Sequence, residues 1–171
     1  MSWLTIIRHC PRCGAAQSAR ATGPFHCSAC ALDLFANPGV GVGIFASDVQ
    51  GRVLFVRRAK EPGKGLLGLP GGFVDAGETA EAALNREISE EIGGTLATCT
   101  FLCSAPNFYM YADVPYDVLD LFFAGTLAPG DFQIDAGEIA ACVWREPASV
   151  RDDEFAFPST RNAWHVYRSR V

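Results

Sequence analysis

The alternation of apolar and polar positions divides the chain into segments before any chemistry is considered. Val40 to Phe45 and Val53 to Val56 are short runs of β-forming residues, and Asp48-Val49-Gln50-Gly51 between them reads as a hairpin loop. Residues 59–68, rich in Gly and Lys, read as an exposed loop, and Leu69-Pro70-Gly71-Gly72 cannot continue a helix. From Thr79 the period changes. Leu84, Ile88 and Ile92 recur every four residues as the core stripe of an amphipathic helix, with Thr79 as its start and Gly93-Gly94 as its stop. Further β-type runs cover 95–104, 118–127 and 139–145, and 159–169 reads as a closing helix with Trp164 on its apolar side. Ahead of these, residues 9–34 look like one small unit, followed by the linker Phe35-Ala36-Asn37-Pro38-Gly39, whose last two residues mark a turn. The order predicts an α+β fold, an α/β/α sandwich preceded by a small appendage, with the boundary between 1–36 and 37–171.

Composition narrows the partners. The chain has 171 residues, 49% of them hydrophobic, enough for one sizeable core. Net charge is −5 and the pI about 5.1, a poor balance for gripping a phosphate backbone. A local basic patch remains open, since Arg8, Arg12 and Arg20 sit near one another at the start, and a nucleic-acid contact through the small unit is not expected but stays open. The first eight residues lack the apolar length and cleavage site of a signal peptide, and no stretch approaches the roughly 18–20 apolar residues of a membrane span. A cytoplasmic protein without a membrane partner is expected.

Seven cysteines are present, four of them in two close pairs, Cys10-x2-Cys13 and Cys27-x2-Cys30. Without a secretion signal this pattern favours a metal over disulfides. Each pair bends so that two thiolates meet one ion, and two such knuckles complete a four-sulfur tetrahedral zinc site. So short a segment cannot build a stable core alone, and zinc would supply its folding free energy. A closed four-thiolate site leaves no open position for catalysis. His9 and His26 flank the ligands without joining them, while Cys99, Cys103 and Cys142 lie in apolar stretches and read as buried structural thiols.

The densest chemistry runs from Gly72 to Gly94. On a helix, Glu87 and Glu91 lie one turn apart with Glu90 beside them, displaced about a quarter turn from the Leu84–Ile88–Ile92 line. Ala80 and Ala83 share that side, and their small size would leave room above the carboxylates. Like charges at this spacing repel, and a hard cation with oxygen ligands, such as magnesium, would remove the cost. Arg86 can hold a carboxylate by paired hydrogen bonds, with Glu78 its natural partner. A solvated acidic face is the bland alternative for Glu90-Glu91 alone.

The pattern Gly72-x5-Glu78-x7-Arg86-Glu87-Ile88-x-Glu90-Glu91-x-Gly93-Gly94 resembles the Nudix box, departing only where Gly94 replaces the usual bulky aliphatic residue. The resemblance implies a pyrophosphohydrolase using Mg2+ or Mn2+ on a nucleoside diphosphate linked to another group. It implies Glu87 and Glu91 as metal ligands, Glu90 as a further ligand or helper, the Gly71 carbonyl as a backbone ligand, and Arg86 as the group that orients carboxylates. Glu138, before the Val143-Trp144 strand, stands where relatives carry a further ligand or base; Asp117 and Asp120 are weaker candidates. A zinc ribbon joined to such a domain is similar to the NADH pyrophosphatase branch, although the signature expected after the box is replaced here by Ser104-Ala105-Pro106-Asn107-Phe108-Tyr109-Met110-Tyr111. NADH and ADP-ribose are thus the expected substrate type, with nucleoside triphosphate cleanup, ligand sensing, nucleic-acid or protein binding, and NAD-cap removal from RNA as alternatives. Phe108, Tyr109 and Tyr111 could stack on a base or plug a core, and Arg57 and Arg58 could steer phosphates or be plain strand-end charges. Related enzymes are often dimers, which leaves a homodimer open.

Overall fold

A computed structural model describes residues 7–17, 24–35, 37–111 and 113–170, the side chains of residues 109 and 111 excepted; Arg20 of the basic group lies outside the described residues. In chain order the elements are β1 (Phe25–His26), β2 (Asp33–Leu34), β3 (Gly39–Ala46), β4 (Val53–Arg58), β5 (Leu67–Gly68), α1 (Ala80–Ile92), β6 (Leu96–Tyr111), β7 (Val114–Leu127), β8 (Ile139–Arg145) and α2 (Pro158–Arg168). They fall into two compact units, Met1–Gly39 with Phe108–Val118, and Val40–Asn107 with Leu119–Val171.

In the first unit β1 and β2 pair antiparallel, Phe25 opposite Leu34 and His26 opposite Asp33. Its core is small: buried Cys10, Phe25 and Cys27, with Ile7, Ala15, Cys30, Leu32 and Leu34 packed against them.

The second unit holds two three-stranded sheets, ordered β3-β7-β6 and β5-β4-β8. Side chains alternate across them with the period of two that a strand imposes. Val42, Ile44 and Ala46 of β3 and Leu54 and Val56 of β4 meet Ala83, Leu84, Ile88 and Ile92 of α1. Phe45, Val53 and Phe55 point the other way, to Ala163, Trp164 and Tyr167 of α2. The two helices therefore cover opposite sides of the strands, the α/β/α sandwich expected. Leu84, Ile88 and Ile92 are fully buried, and each such side chain contributes about 1.5–3 kcal/mol.

Helix α1 begins and ends where the sequence indicates. Thr79 is extended at the N-cap, and its hydroxyl accepts the Ala82 N–H at 3.2 Å. Gly93 takes the left-handed conformation at φ 63°, its N–H donating to Ser89 O while the Gly94 N–H donates to Ile88 O. The departure at Gly94 has a packing cause: a β-carbon there would stand 3.1 Å from Ile88 Cγ2 and 3.4 Å from Ile92 Cδ1. Those isoleucines already fill the space an aliphatic side chain would take.

Several expectations need correction. Asp48–Gly51 is a tight turn, Asp48 Oδ1 accepting from the Gln50 and Arg52 N–H groups. The strands it joins nevertheless part into different sheets, with the Ser47–Val53 bridge beside the turn, because β3 pairs with β7 and β4 with β8. The end of the 59–68 loop, Leu67-Gly68, pairs with β4 and is buried. Ala83 is fully buried and Ala80 packs against the same core, so neither opens space above the carboxylates. Cys99, Cys103 and Cys142 are only partly buried. Asp120 is structural: it accepts from Asn107 Nδ2 at 2.9 Å and from the buried Ser159 hydroxyl at 2.6 Å, pinning the start of α2 to β7. Among the described residues no helix is long and apolar enough to cross a membrane.

Candidate active site and metal centre

The extended segment before α1 runs along β3. Ile44 and Val42 N–H groups donate to the Pro70 and Gly72 carbonyls, leaving the Gly71 carbonyl out of that ladder. Two glycines are dictated here. Gly71 has φ 139° and a β-carbon on it would collide with the Val42 carbonyl; one on Gly72 would lie 2.5 Å from the Glu87 carboxylate.

Arg86 is the hub on the facing side of α1. Its Nε and Nη2 donate to both oxygens of Glu78 at 2.9 and 3.0 Å, the bidentate pairing expected. Nη1 donates to Glu87 at 2.8 Å and Glu90 at 3.0 Å, and Nη2 also reaches the Phe73 carbonyl at 2.9 Å. That last acceptor is main chain, so no residue type announces it. The two strongest partners respond differently: Arg86 holds the Glu78 carboxyl below its usual range, whereas burial outweighs Arg86 at Glu87 and raises it.

Glu91 is 8% exposed and accepts one protein donor of known geometry, the Gly71 N–H at 2.9 Å. Burial pushes its carboxyl up to about 8; the charges of Glu87 and Glu138 push the same way, against Gly71 and Arg58. The charge of Glu138 therefore acts on both helix carboxylates. Glu138 lies in the loop before β8, whose Gln133 and Asp135 N–H groups donate to the Ile92 and Glu91 carbonyls at the end of α1.

Arg57 and Arg58 are committed to the 59–66 loop, Arg57 Nη1 donating to Gly65 O and Arg58 Nε to Pro62 O. Arg58 also lies over the Phe157 ring at 5.0 Å, and it is the one whose charge reaches Glu91. Phe108 is exposed and belongs to the unit that contains the cysteines. The side chains of Tyr109 and Tyr111 lie outside the described residues. Asp117 falls in the same unit as Phe108.

A second cluster is built by the cysteines. Cys10, Cys13, Cys27 and Cys30 place their sulfurs within 4.8 Å of one another. Cys10–Cys30 and Cys13–Cys27 are each 3.7 Å apart, and four thiolates in a tetrahedron about a zinc ion stand about 3.8 Å apart. The knuckles match: Gly14 N–H donates to Cys10 O and Ala31 N–H to Cys27 O, with both donors at positive φ. His26 is turned to Asp33 at 2.7 Å, away from ligation. The carboxylates of α1 do not converge in this way; Glu87 and Glu90 are turned to Arg86 and Glu91 to Gly71.

Comparison with known proteins bears on the family and the fold. An ADP-ribose pyrophosphatase of Methanocaldococcus jannaschii is 48% identical over 61 residues, 35% of each chain. The NAD-capped RNA hydrolase NudC of Mycobacterium bovis is 34% identical over 104 residues, 61% of this chain and 31% of that protein. The chain thus spans about a third of the length of these two curated relatives. Among solved structures, the NUDIX domain of Shewanella oneidensis NrtR, complexed with ADP ribose, superposes with a TM-score of 0.64 at 25% identity, covering 80% of this chain and 90% of that one. Residues 37–164 match the NUDIX domain, and a match over most of the chain means that this protein belongs to the NUDIX domain family.

Proposed function

We propose that this chain is a divalent-metal-dependent pyrophosphohydrolase that cleaves the diphosphate of a nucleoside diphosphate derivative, such as ADP-ribose or NADH, and releases a mononucleotide. The observation that carries the reading is Glu91, a nearly buried carboxylate that feels the negative charges of Glu87 and Glu138. Burying such a charge among like charges is costly unless a cation joins it. The donors are all oxygen, which fits Mg2+ or Mn2+. Glu87, Glu90, Glu91, Glu138 and the Gly71 carbonyl would hold the metal, which when bound neutralises phosphate charge and lowers the pKa of a water. Arg86, fixed by Glu78, keeps Glu87 and Glu90 from drifting, and Glu138 would take a proton or complete the ligand set. Arg58 lends positive charge near the phosphates. We assign the cysteine unit, residues 1–36, a structural zinc, and residues 37–171 the hydrolase.

The relative named ADP-ribose pyrophosphatase and the NrtR domain complexed with ADP ribose support this substrate type. A capped RNA is the second reading, supported by the likeness to NudC. The test is a panel of ADP-ribose, NADH, NAD, FAD, sugar nucleotides, triphosphates and NAD-capped RNA with Mg2+. AMP from ADP-ribose or NADH is the expected result. Preference for capped RNA moves the assignment to the second reading, and cleavage of triphosphates alone overturns both.

Gly72 supplies a sharper check. Because a β-carbon would drive Glu87 off its position, Gly72→Ala is expected to cost about 100-fold in kcat, the scale of a misplacement of about 1 Å. Steady-state kinetics across a Mg2+ titration measures this; a wild-type profile would show that the placement of Glu87 does not matter.

A further inference from the structure

We propose that Asp135 is a positioning residue that fixes Glu138 against the carboxylates of α1. The proposal rests on the reading of Glu138 as a working group of the hydrolase.

Glu138 sits on an exposed loop, where nothing in local secondary structure holds a side chain in place. The loop is tied at both ends by apolar contacts, Phe132 and Ile139 packing into the α1 core. Between those ends Asp135 carries the hydrogen bonds that connect α1 to Glu138. Its N–H donates to the Glu91 carbonyl at 2.9 Å. Its own carbonyl accepts the N–H of Glu138 at 3.0 Å and of Ile139 at 2.8 Å. Its carboxylate Oδ1 accepts the Gly137 N–H at 2.8 Å, closing the turn that delivers Glu138. One residue thus joins the main chain of Glu91 to the main chain of Glu138. From the other side the Ala59 N–H donates to the Glu138 carbonyl at 2.8 Å. The side chain of Asp135 is solvent-exposed and contributes nothing to the core, so its role lies in shaping this turn. Aspartate followed by glycine two positions later is the sequence signal for such a turn.

The turn needs an acceptor at Asp135, not a charge. Asn keeps the acceptor and Ala removes it. The experiment compares wild type, Asp135→Ala, Asp135→Asn, Glu138→Gln and the Asp135→Ala/Glu138→Gln double variant. Hydrogen exchange is read on the metal-free chain and turnover with ADP-ribose and Mg2+. Asp135→Ala is expected to speed exchange at Gly137 and Glu138 while α1 stays protected. It should lower kcat by about 10–100-fold with little change in KM. Asp135→Asn should stay near wild type in both readouts. Since Asp135 acts through Glu138, the double variant should be no slower than Glu138→Gln alone.

Unchanged exchange and turnover in Asp135→Ala, an Asn variant as damaged as the Ala variant, or losses that add in the double variant each overturn the proposal. A slow Glu138→Gln with a fast Asp135→Ala would sink the positioning role alone. A fully active Glu138→Gln would remove Glu138 from the chemistry and the positioning role with it. Should ADP-ribose not turn over, Mn2+ affinity decides: weakened by Asp135→Ala and retained by Asp135→Asn supports the role, and equal affinity in all three contradicts it.

Discussion

Glu91→Gln is expected to abolish turnover, with a loss in kcat on the order of 1000-fold or more, while making the protein without divalent metal more stable at neutral pH. The two effects have one cause. Gln keeps an oxygen for the Gly71 N–H but brings no charge into a site that is 8% exposed. In the wild type, burial raises the carboxyl from 4.5 to about 8. The native state therefore binds a proton that the unfolded chain has lost, and the native state without metal weakens as pH rises between those values. Below about pH 4.5 the carboxyl is protonated in both states and the two proteins should be alike. Across the window the variant should gain on the wild type, by on the order of a few kcal/mol at the alkaline end. Burial raises Glu87 too, so some of the slope survives in the variant. Denaturant unfolding in magnesium-free buffer from pH 4 to 9 measures it. A wild type that grows more stable with rising pH in this range would refute the electrostatic account of Glu91, whatever the kinetics show.

Loss of the zinc proposed for the four cysteines should have the largest structural effect. Among the described residues the core around the cysteines buries just Cys10, Phe25 and Cys27, far too little to offset the entropy of ordering residues 9–34. Zinc bound by these four thiolates would supply about 10–16 kcal/mol, all of it folding free energy for this segment. Cys27→Ser, or removal of zinc by a strong chelator, should therefore unfold residues 9–34 and expose them to proteolysis. Because Phe108–Val118 cluster with this unit, their amide exchange should rise as well. The other unit has its own two cores and should keep a cooperative melt. Intact protection of residues 9–34 after metal analysis shows no zinc would exclude a structural role.

Local signals were readable in the sequence and long-range pairing was not. Helix α1 follows from the four-residue recurrence of Leu84, Ile88 and Ile92 with Thr79 and Gly93 at its ends. The Arg86–Glu78 contact follows from spacing on and just ahead of the helix. The separation of β3 from β4 could not be read, because it depends on the partners each finds far along the chain, Ser47 at Gly125 and Val53 at Arg145. Helical geometry rightly grouped Ala83, Glu87 and Glu91 on one side. What it missed is that this row borders the core, so that Ala83 is sealed in and Glu91 is nearly so. The elevated Glu91 carboxyl is a consequence of that burial, invisible until the sheet is in place. Glu138 was a candidate through the family resemblance, by its place ahead of β8, but the turn at Asp135 that carries it depends on main-chain bonds to α1.

The central claim is that the α1 carboxylates hydrolyse a diphosphate with a divalent cation. Its most direct test incubates ADP-ribose with wild type and Glu91→Gln, with and without Mg2+, and separates the products. AMP formed by wild type only when Mg2+ is present, and by Glu91→Gln at a rate near background, is the predicted result. AMP formed equally by Glu91→Gln, or by wild type without any divalent ion, would contradict the claim.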